Sequence, residues 1–222
     1  MGVGDLAIAT MRTELQPGLT ENQLWAVMQE VNIAHNGEWI ECRLLSSGER
    51  TNPWFQECGN RVIQAGDMVT FDTDMVGPLG YLVDVSRAFV CPGKRATAEQ
   101  RKLYEIAQTE VQHNLELLRP GVTFRELSEK AWRPPDEYLE GRYPCIAHGT
   151  GFVDEYPFIA HSADWETDGY DGVLVENMVV SIESYIGERG AKEGVKLEQQ
   201  AVITSSGARV LSASPFLDAL EL

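Results

Sequence analysis

The sequence predicts an α+β fold of two pseudo-symmetric αβ halves, in which helices cover a curved and mostly antiparallel β-sheet. Two repeated patterns predict this fold. A helix–turn–helix pattern at residues 15–24 (LQPGLTENQL) returns at residues 118–127 (LRPGVTFREL). A turn followed by a β-rich run with acidic residues near its end occurs at residues 66–74 and again at 176–184. The resulting order of helix, helix and strands, twice over, is typical of helices layered on a sheet.

The helices of each half have clear boundaries. In both copies a helical stretch ends at a Pro-Gly pair, and a threonine then begins the next helix. Thr20 with Gln23, and Thr123 with Glu126, have the spacing of a capping box, in which two free backbone amides are satisfied reciprocally. The two prolines at 134–135 end the helix that begins near Thr123.

Strand-like runs follow each pair of helices. In the first half, residues 66–74 and 81–90 form neighbouring strands, and a turn rich in glycine and proline at residues 77–80 joins them. In the second half the equivalent runs are residues 176–184 and 195–204. We therefore expect the two halves to meet at a cleft that both pairs of strands line.

Composition limits the possible partners and the compartment. The 222 residues suffice for one sizeable core, and the 43% hydrophobic and 23% charged fractions are those of a globular protein. The 34 acidic and 18 basic residues give a net charge of −16, which predicts against nucleic acid and anionic membranes as partners. No basic leader precedes the first helix, and the four cysteines are far apart, so we expect a cytoplasmic protein with reduced thiols.

Acidic residues in both strand pairs form a candidate metal site. Because side chains two apart on a strand share a face, Asp72 and Asp74 should point to one side, with Asp84 on the neighbouring strand. Any one of the candidates, taken alone, is more often a turn acid, a solvated strand residue or a core histidine. Matched positions in two halves favour a shared site, since several buried carboxylates repel each other unless cations lie among them. The candidate ligands are Asp72, Asp74, Asp84, His148, Glu183 and Glu198.

The ligand types indicate the metal and its chemistry. Five carboxylates and one imidazole suit two divalent ions, and they favour iron, manganese, cobalt or zinc over copper or an iron–sulfur cluster. Such ions polarise a substrate carboxylate or activate water.

The ordered set resembles the metal-binding pattern of the M24 metallopeptidases, the pita-bread-fold relatives of methionine aminopeptidase, prolidase and creatinase. The resemblance rests on the run from Asp74 to Arg87, the His-Gly-Thr-Gly at 148–151, Glu183 after an isoleucine, and the late Glu198. It implies the pita-bread fold, a homodimer, and a single catalytic domain over residues 1–222 without the N-terminal domain that relatives carry.

Two departures separate the chain from the peptidases of that family. Those enzymes have a histidine before the first metal strand, where this chain has residues 52–58 (NPWFQEC), and a second histidine in a His-Glu-x-Pro motif, which here reads DEYP from Asp154. The same departures resemble the DddP-type dimethylsulfoniopropionate lyases, which share the Phe-Asp-Thr-Asp opening at residues 71–74. This resemblance implies that the six candidate ligands hold two ions, with iron favoured. It also implies that Asp154 is the catalytic base and Tyr143 a substrate-binding residue.

Three functional hypotheses follow. The first is β-elimination of dimethylsulfoniopropionate to dimethyl sulfide and acrylate, with the aromatic face of Tyr143, Trp54 or Trp165 beside the sulfonium cation. For the two tryptophans, core packing is the more common role. The second is a metal-dependent Xaa-Pro-type aminopeptidase or related hydrolase. The third is a pita-bread domain that has lost catalysis and binds other proteins.

Overall fold

The computed structural model describes residues 1–217, which form five α-helices and ten β-strands. The helices are α1 (Gly2–Glu14), α2 (Glu21–Ala34), α3 (Ala98–Leu117), α4 (Phe124–Lys130) and α5 (Trp165–Asp168). The strands are β1 (Leu45–Ser47), β2 (Met68–Phe71), β3 (Met75–Val76), β4 (Leu82–Val83), β5 (Arg87–Val90), β6 (Cys145–Thr150), β7 (Asp154–Ala160), β8 (Val179–Ile186), β9 (Val195–Thr204) and β10 (Gly207–Val210). None of the helices in this part of the chain is both long and apolar enough to cross a bilayer.

The strands form three antiparallel sheets, as the repeated pattern predicts. One sheet has the order β1-β2-β5, a second has the order β10-β9-β8-β6-β7, and β3 pairs with β4 in a short hairpin. In chain order, α1 and α2 precede the first sheet and α3 and α4 precede the second. The predicted α+β architecture of two similar halves is therefore confirmed.

The two larger sheets are joined where β9 lies beside β2 and β5. The hydroxyl of Thr70 in β2 accepts a hydrogen bond from the backbone amide of Lys196 (3.1 Å) and donates one to its carbonyl (3.3 Å). The backbone amide of Glu198 donates to the carbonyl of Ser86 (3.3 Å), and Arg87 donates to the carbonyl of Glu198 (2.7 Å). These bonds bring the acidic ends of the first-half strands onto β9.

Helix α3 packs on the apolar face of the second sheet. Alternate residues of β9, including Leu197 and Ala201, join the hydrophobic core together with Leu103 and Ala107 of α3. The residues between them on β9 must point to the opposite face because strand side chains alternate. The polar face of the sheet is thus turned away from α3, towards β2 and β5.

The predicted helix starts are confirmed. Thr20 and Gln23 form a capping box at α2, and Thr123 and Glu126 form one at α4. A third capping box at α3, between Thr97 and its N3 residue, was not predicted. In this third box the hydroxyl of Thr97 accepts a hydrogen bond from the backbone amide of Gln100, and the side-chain oxygen of Gln100 accepts one from the backbone amide of Thr97.

The strands of the first half are shorter than predicted. The predicted strand 66–74 ends three residues early, and the predicted strand 81–90 is divided into β4 and β5. The cause is Thr73, whose hydroxyl donates to the carbonyl of Val83 (2.7 Å) and accepts from the amide of Val85 (3.0 Å). This side chain takes the place of ladder hydrogen bonds and leaves two irregular segments that carry the acidic residues.

Candidate metal centre

The second sheet places two glutamates directly opposite each other. Glu183 of β8 and Glu198 of β9 are partners in the antiparallel register, and both are buried. Like charges at directly opposed positions destabilise a pair of strands. Their burial as a facing pair therefore indicates that positive charge lies between or beside them.

His148 points its imidazole at these glutamates from the neighbouring strand β6. Its Nε2 atom lies 3.0 Å from Oε1 of Glu183, 3.5 Å from Oδ2 of Asp84 and 3.8 Å from Oε1 of Glu198. The burial of the imidazole alone would lower its pKa, but the neighbouring Asp154 and Glu183 outweigh burial and raise the pKa of His148 well above its ordinary value. The ring thus presents one nitrogen to three carboxylates.

Three aspartates of the first half come together at the same place, although not in the way the strand pattern predicts. Asp72 and Asp74 lie beyond the end of β2, so strand alternation does not align them, and Asp74 has a positive φ of 36°. Asp84 lies in the break between β4 and β5. Asp72, Asp74 and Asp84 nevertheless each offer an oxygen within 4.8 Å of the others. Aspartate tolerates this backbone region better than most residues, which explains how the turn is made.

The six predicted ligands therefore converge. Within the described residues they fall into three overlapping groups whose ligand atoms all lie within 4.8 Å of one another. These groups are Asp72–Asp74–Asp84, Asp84–His148–Glu198 and Asp72–Glu183–Glu198. That they bind metal remains a prediction.

Unpaired buried oxygens show that the residues fit divalent ions. Oδ2 of Asp74, Oδ1 of Asp84 and Oε1 of Glu198 are buried without a hydrogen-bond partner, an arrangement that is costly unless a cation or proton compensates it. Burial and the repulsion of neighbouring acids raise the pKa of Asp74 to about 8, and they raise the pKa values of Asp84 and Glu198 well above the ordinary range. Bound ions would replace those protons, because carboxylates ligate in their ionised form.

A lysine that the sequence analysis did not single out lies within the cluster. Lys196 is fully buried, and its Nζ lies 2.9 Å from Oδ2 of Asp72, 2.6 Å from Oε2 of Glu183 and 3.3 Å from Oε2 of Glu198. It also donates to Oγ of Ser86 (2.7 Å). The sequence held a usable signal: Lys196 is two residues before Glu198 on the same strand, so the two side chains share a face.

Lys196 and its acidic neighbours set each other's protonation. Burial alone would lower the pKa of Lys196, but attraction to Asp72, Glu183 and Glu198 outweighs it and raises this pKa well above its usual value. Burial alone would raise the pKa of Asp72, but the ammonium of Lys196 lowers it to about 2. The ammonium and the Asp72 carboxylate are therefore a charged pair inside the protein.

The aromatic residues named as possible substrate contacts lie in two places. The ammonium of Lys196 lies 4.6 Å from the ring centroid of Tyr143 and 5.7 Å from that of Trp54, so both rings adjoin the cluster. Tyr143 and Trp54 also pack in a small apolar group with Tyr185. Trp165, by contrast, packs under the guanidinium of Arg125 from α4, at 4.7 Å.

Asp154, the predicted base, lies against the other nitrogen of the imidazole. Its Oδ1 atom is 3.3 Å from Nδ1 of His148. The side chain is 10% exposed, whereas those of Asp84, His148 and Glu198 are exposed by 3% or less. Asp154 is thus beside the cluster, on the side that solvent still reaches.

A glycine permits this approach of β7 to β6. A Cβ atom at Gly149 would lie 2.1 Å from the carbonyl oxygen of Tyr156 and 2.6 Å from Cδ of Pro157. Any side chain at this position would therefore clash with β7, the strand that begins at Asp154.

Comparison of the sequence with known proteins identifies relatives among the metallopeptidases. Residues 2–205 match the family described as Metallopeptidase family M24. The chain is 40% identical to the dimethylsulfoniopropionate lyase DddP of Roseovarius nubinhibens over 92% of its own length and 46% of that protein's. It is 29% identical to the Xaa-Pro dipeptidase of Pyrococcus furiosus over 95% of its own length and 58% of that protein's.

Solved structures show the same fold. Prolidase from Pyrococcus furiosus superposes with a TM-score of 0.81 at 24% identity, covering 98% of this chain and 62% of that one. The X-Pro aminopeptidase from Thermotoga maritima gives a TM-score of 0.81 at 21% identity, covering 96% of this chain and 58% of that one. The pita-bread fold expected from the sequence is thereby confirmed. The chain spans about half the length of the curated relatives that it matches.

Proposed function

This chain belongs to metallopeptidase family M24, and from that premise we propose that it cleaves dimethylsulfoniopropionate to dimethyl sulfide and acrylate at a two-metal centre. The observation that carries the proposal is the position of Asp154. Its carboxylate lies beside the acidic cluster and 3.3 Å from His148, at the motif position where the peptidases that the chain resembles have a histidine. The 40% identity to a protein named as a dimethylsulfoniopropionate lyase supports the same choice.

The residues divide into holders of metal and a base. In this proposal two ions, with iron favoured over manganese, zinc or cobalt, are held by Asp72, Asp74, Asp84, His148, Glu183 and Glu198. When bound, such ions stabilise the negative charge that develops beside the substrate carboxylate. The ligand side chains would fix the positions of the two ions and therefore of their positive charges.

Asp154 performs the proton transfer in this proposal. Its carboxylate removes a proton from the carbon next to the substrate carboxylate. The electron pair left on that carbon forms the double bond of acrylate as the β carbon–sulfur bond breaks, and the sulfur leaves as neutral dimethyl sulfide. The proton stays on Asp154 until solvent takes it. In this proposal the ring of Tyr143 contacts the substrate.

The test is product formation from the metal-loaded protein. Purified protein, loaded in turn with Fe²⁺, Mn²⁺, Co²⁺ or Zn²⁺, is incubated with dimethylsulfoniopropionate, and headspace dimethyl sulfide is measured by gas chromatography against chelator-treated protein. We expect dimethyl sulfide and acrylate in equal amounts from the loaded protein only. Product no greater than that of the chelator-treated control would refute the lyase.

Peptide hydrolysis is the second candidate, since several relatives are named as Xaa-Pro dipeptidases. Release of proline from Xaa-Pro dipeptides, with no dimethyl sulfide, would favour it over the lyase. A metal-bound protein that forms neither product would instead indicate a binding domain. A homodimer and a cytoplasmic location remain predictions.

A further inference from the structure

We propose that Lys196 is a permanent third cation of this centre, which pairs with one oxygen each of Asp72, Glu183 and Glu198 and leaves their other oxygens, together with the remaining candidate ligands, for two metal ions. This inference rests on the metal site proposed above but not on the identity of the substrate. Lysine is seldom fully buried, and Lys196 is buried completely with three carboxylates and one hydroxyl around its Nζ.

The contacts of the ammonium coincide with one of the three candidate metal groups. Its three carboxylate partners, Asp72, Glu183 and Glu198, are the three members of that group. Within the described residues, Asp74, Asp84 and His148 of the other two groups make no ion pair with Lys196. The remaining members of those groups, Asp72 and Glu198, are shared with the group that the ammonium contacts. The ammonium therefore competes directly for one cation position.

Three of the buried oxygens without a hydrogen-bond partner belong to members of the other two groups, whereas a fourth, Oε2 of Glu183, faces the ammonium at 2.6 Å. Lys196 contacts Oδ2 of Asp72 and Oε2 of Glu198, whereas the second Glu198 oxygen, Oε1, is buried without a partner. The other unpaired oxygens considered above belong to Asp74 and Asp84. Glu198, which belongs to two groups, thus turns one oxygen to the lysine and leaves the other for an ion.

The charges also balance. The candidate ligands include five carboxylates, and one ammonium with two divalent ions supplies five positive charges. Without Lys196, two divalent ions would leave one buried negative charge uncompensated, which carries a large cost in a protein interior.

The fold keeps the ammonium in place. The backbone of Lys196 is held on both sides by the hydroxyl of Thr70, through its amide and its carbonyl. The rings of Tyr143 and Trp54 lie 4.6 and 5.7 Å from Nζ, where their faces attract a cation. Because both the backbone and the ammonium group of Lys196 are held, this cation does not exchange with solvent as a metal ion does.

Removal of the charge tests the proposal by metal binding rather than by activity. Lys196→Met keeps a long side chain without the charge, Lys196→Arg keeps the charge, and Lys102→Met removes an exposed lysine as a matched control. Mn²⁺ per chain is counted by elemental analysis after loading and desalting, and the Mn²⁺ Kd is measured by calorimetry. Thermal unfolding is followed for metal-free and loaded protein.

We expect two ions per chain in the unaltered protein. Lys196→Met should bind Mn²⁺ about tenfold tighter or more, because a positive charge within ~4 Å of the ligands has been removed, and its metal-induced rise in Tm should be larger. Lys196→Arg and Lys102→Met should keep the original Kd.

Two results would overturn the inference. One is a folded Lys196→Met variant whose Mn²⁺ Kd is unchanged or higher, which is the result of a merely structural lysine. The other needs no variant: three ions per chain in the unaltered protein would mean that the ammonium does not hold its group. Absence of any bound metal in the unaltered protein would defeat the proposed metal centre itself, so the two failures are distinguishable.

Discussion

At the scale of single residues, the position of Asp154 allows two roles. A carboxylate 3.3 Å from Nδ1 of His148 can remove a proton from a substrate, or it can hold the imidazole so that Nε2 faces the metal site. The two roles predict different effects on metal binding, so one substitution separates them.

We expect Asp154→Asn to lower dimethyl sulfide formation about 10²- to 10⁴-fold, the usual loss for a missing general base. Metal content should remain that of the unaltered protein, because Asp154 lies against Nδ1 of His148 and not against the Nε2 atom that faces the other candidate ligands. Activity is measured by headspace chromatography and metal by elemental analysis, with the exposed Asp168→Asn as control. If metal affinity falls by about 10- to 100-fold in parallel with activity, Asp154 positions His148 and is not the base.

The candidate ligands could be predicted from the sequence because carboxylates and imidazoles are the side chains that bind such metal ions. Glu183 and Glu198 were predicted from matched strand positions, and the register places them opposite each other. Asp72 and Asp74 converge as expected, but through a left-handed turn and not through strand alternation. Lys196 was missed because a strand lysine is usually solvated, and only its parity with Glu198 indicates the buried face.

At the scale of elements, Thr73 connects the two irregular segments that hold the first-half aspartates. Its hydroxyl bonds to the backbone at Val83 and Val85, on either side of Asp84. A hydroxyl that bridges two backbone groups has no signature in hydrophobic periodicity, so the division of the predicted strand 81–90 could not be predicted. The helix caps, by contrast, depend on local spacing and were predictable.

Thr73→Val should therefore lower the free energy of unfolding by about 1–3 kcal/mol, because it leaves a buried carbonyl and a buried amide without their partner. We also expect a higher Mn²⁺ Kd, since Asp72 and Asp84 lose a common support. Thr109→Val, which removes an exposed hydroxyl within α3, is the matched control. Chemical denaturation and calorimetry measure the two quantities, and equal stability of both variants would contradict this role.

At the scale of the whole molecule, the centre connects the two halves of the chain. The group Asp84–His148–Glu198 takes one residue from the first half and two from the second. An ion bound there opposes separation of the sheets. The duplication made this arrangement predictable, because equivalent strand pairs in two halves lead to one shared cleft.

Metal removal should consequently lower thermal stability. An ion at 100 times its Kd stabilises the folded state by about 2.7 kcal/mol, and in a chain of this size each kcal/mol changes Tm by about 2–4 °C. We expect a chelator to lower Tm by about 5–10 °C for each of the two ions removed, measured by differential scanning calorimetry, and added Mn²⁺ to restore it. An identical Tm before and after complete removal of metal would show that the ions do not hold the halves together.

Strand β7 passes so close to Gly149 that this position has room only for the hydrogen atom of a glycine. The gap between the imidazole of His148 and the carboxylate of Asp154 depends on how closely the backbones of β6 and β7 approach each other, and Gly149 sets that limit. Even alanine there would have to push β7 outwards, carrying the carboxylate of Asp154 away from the ring while leaving every ionisable group in the sequence intact. On the proposed mechanism, such a chain would keep its full set of acids and still lose the reaction.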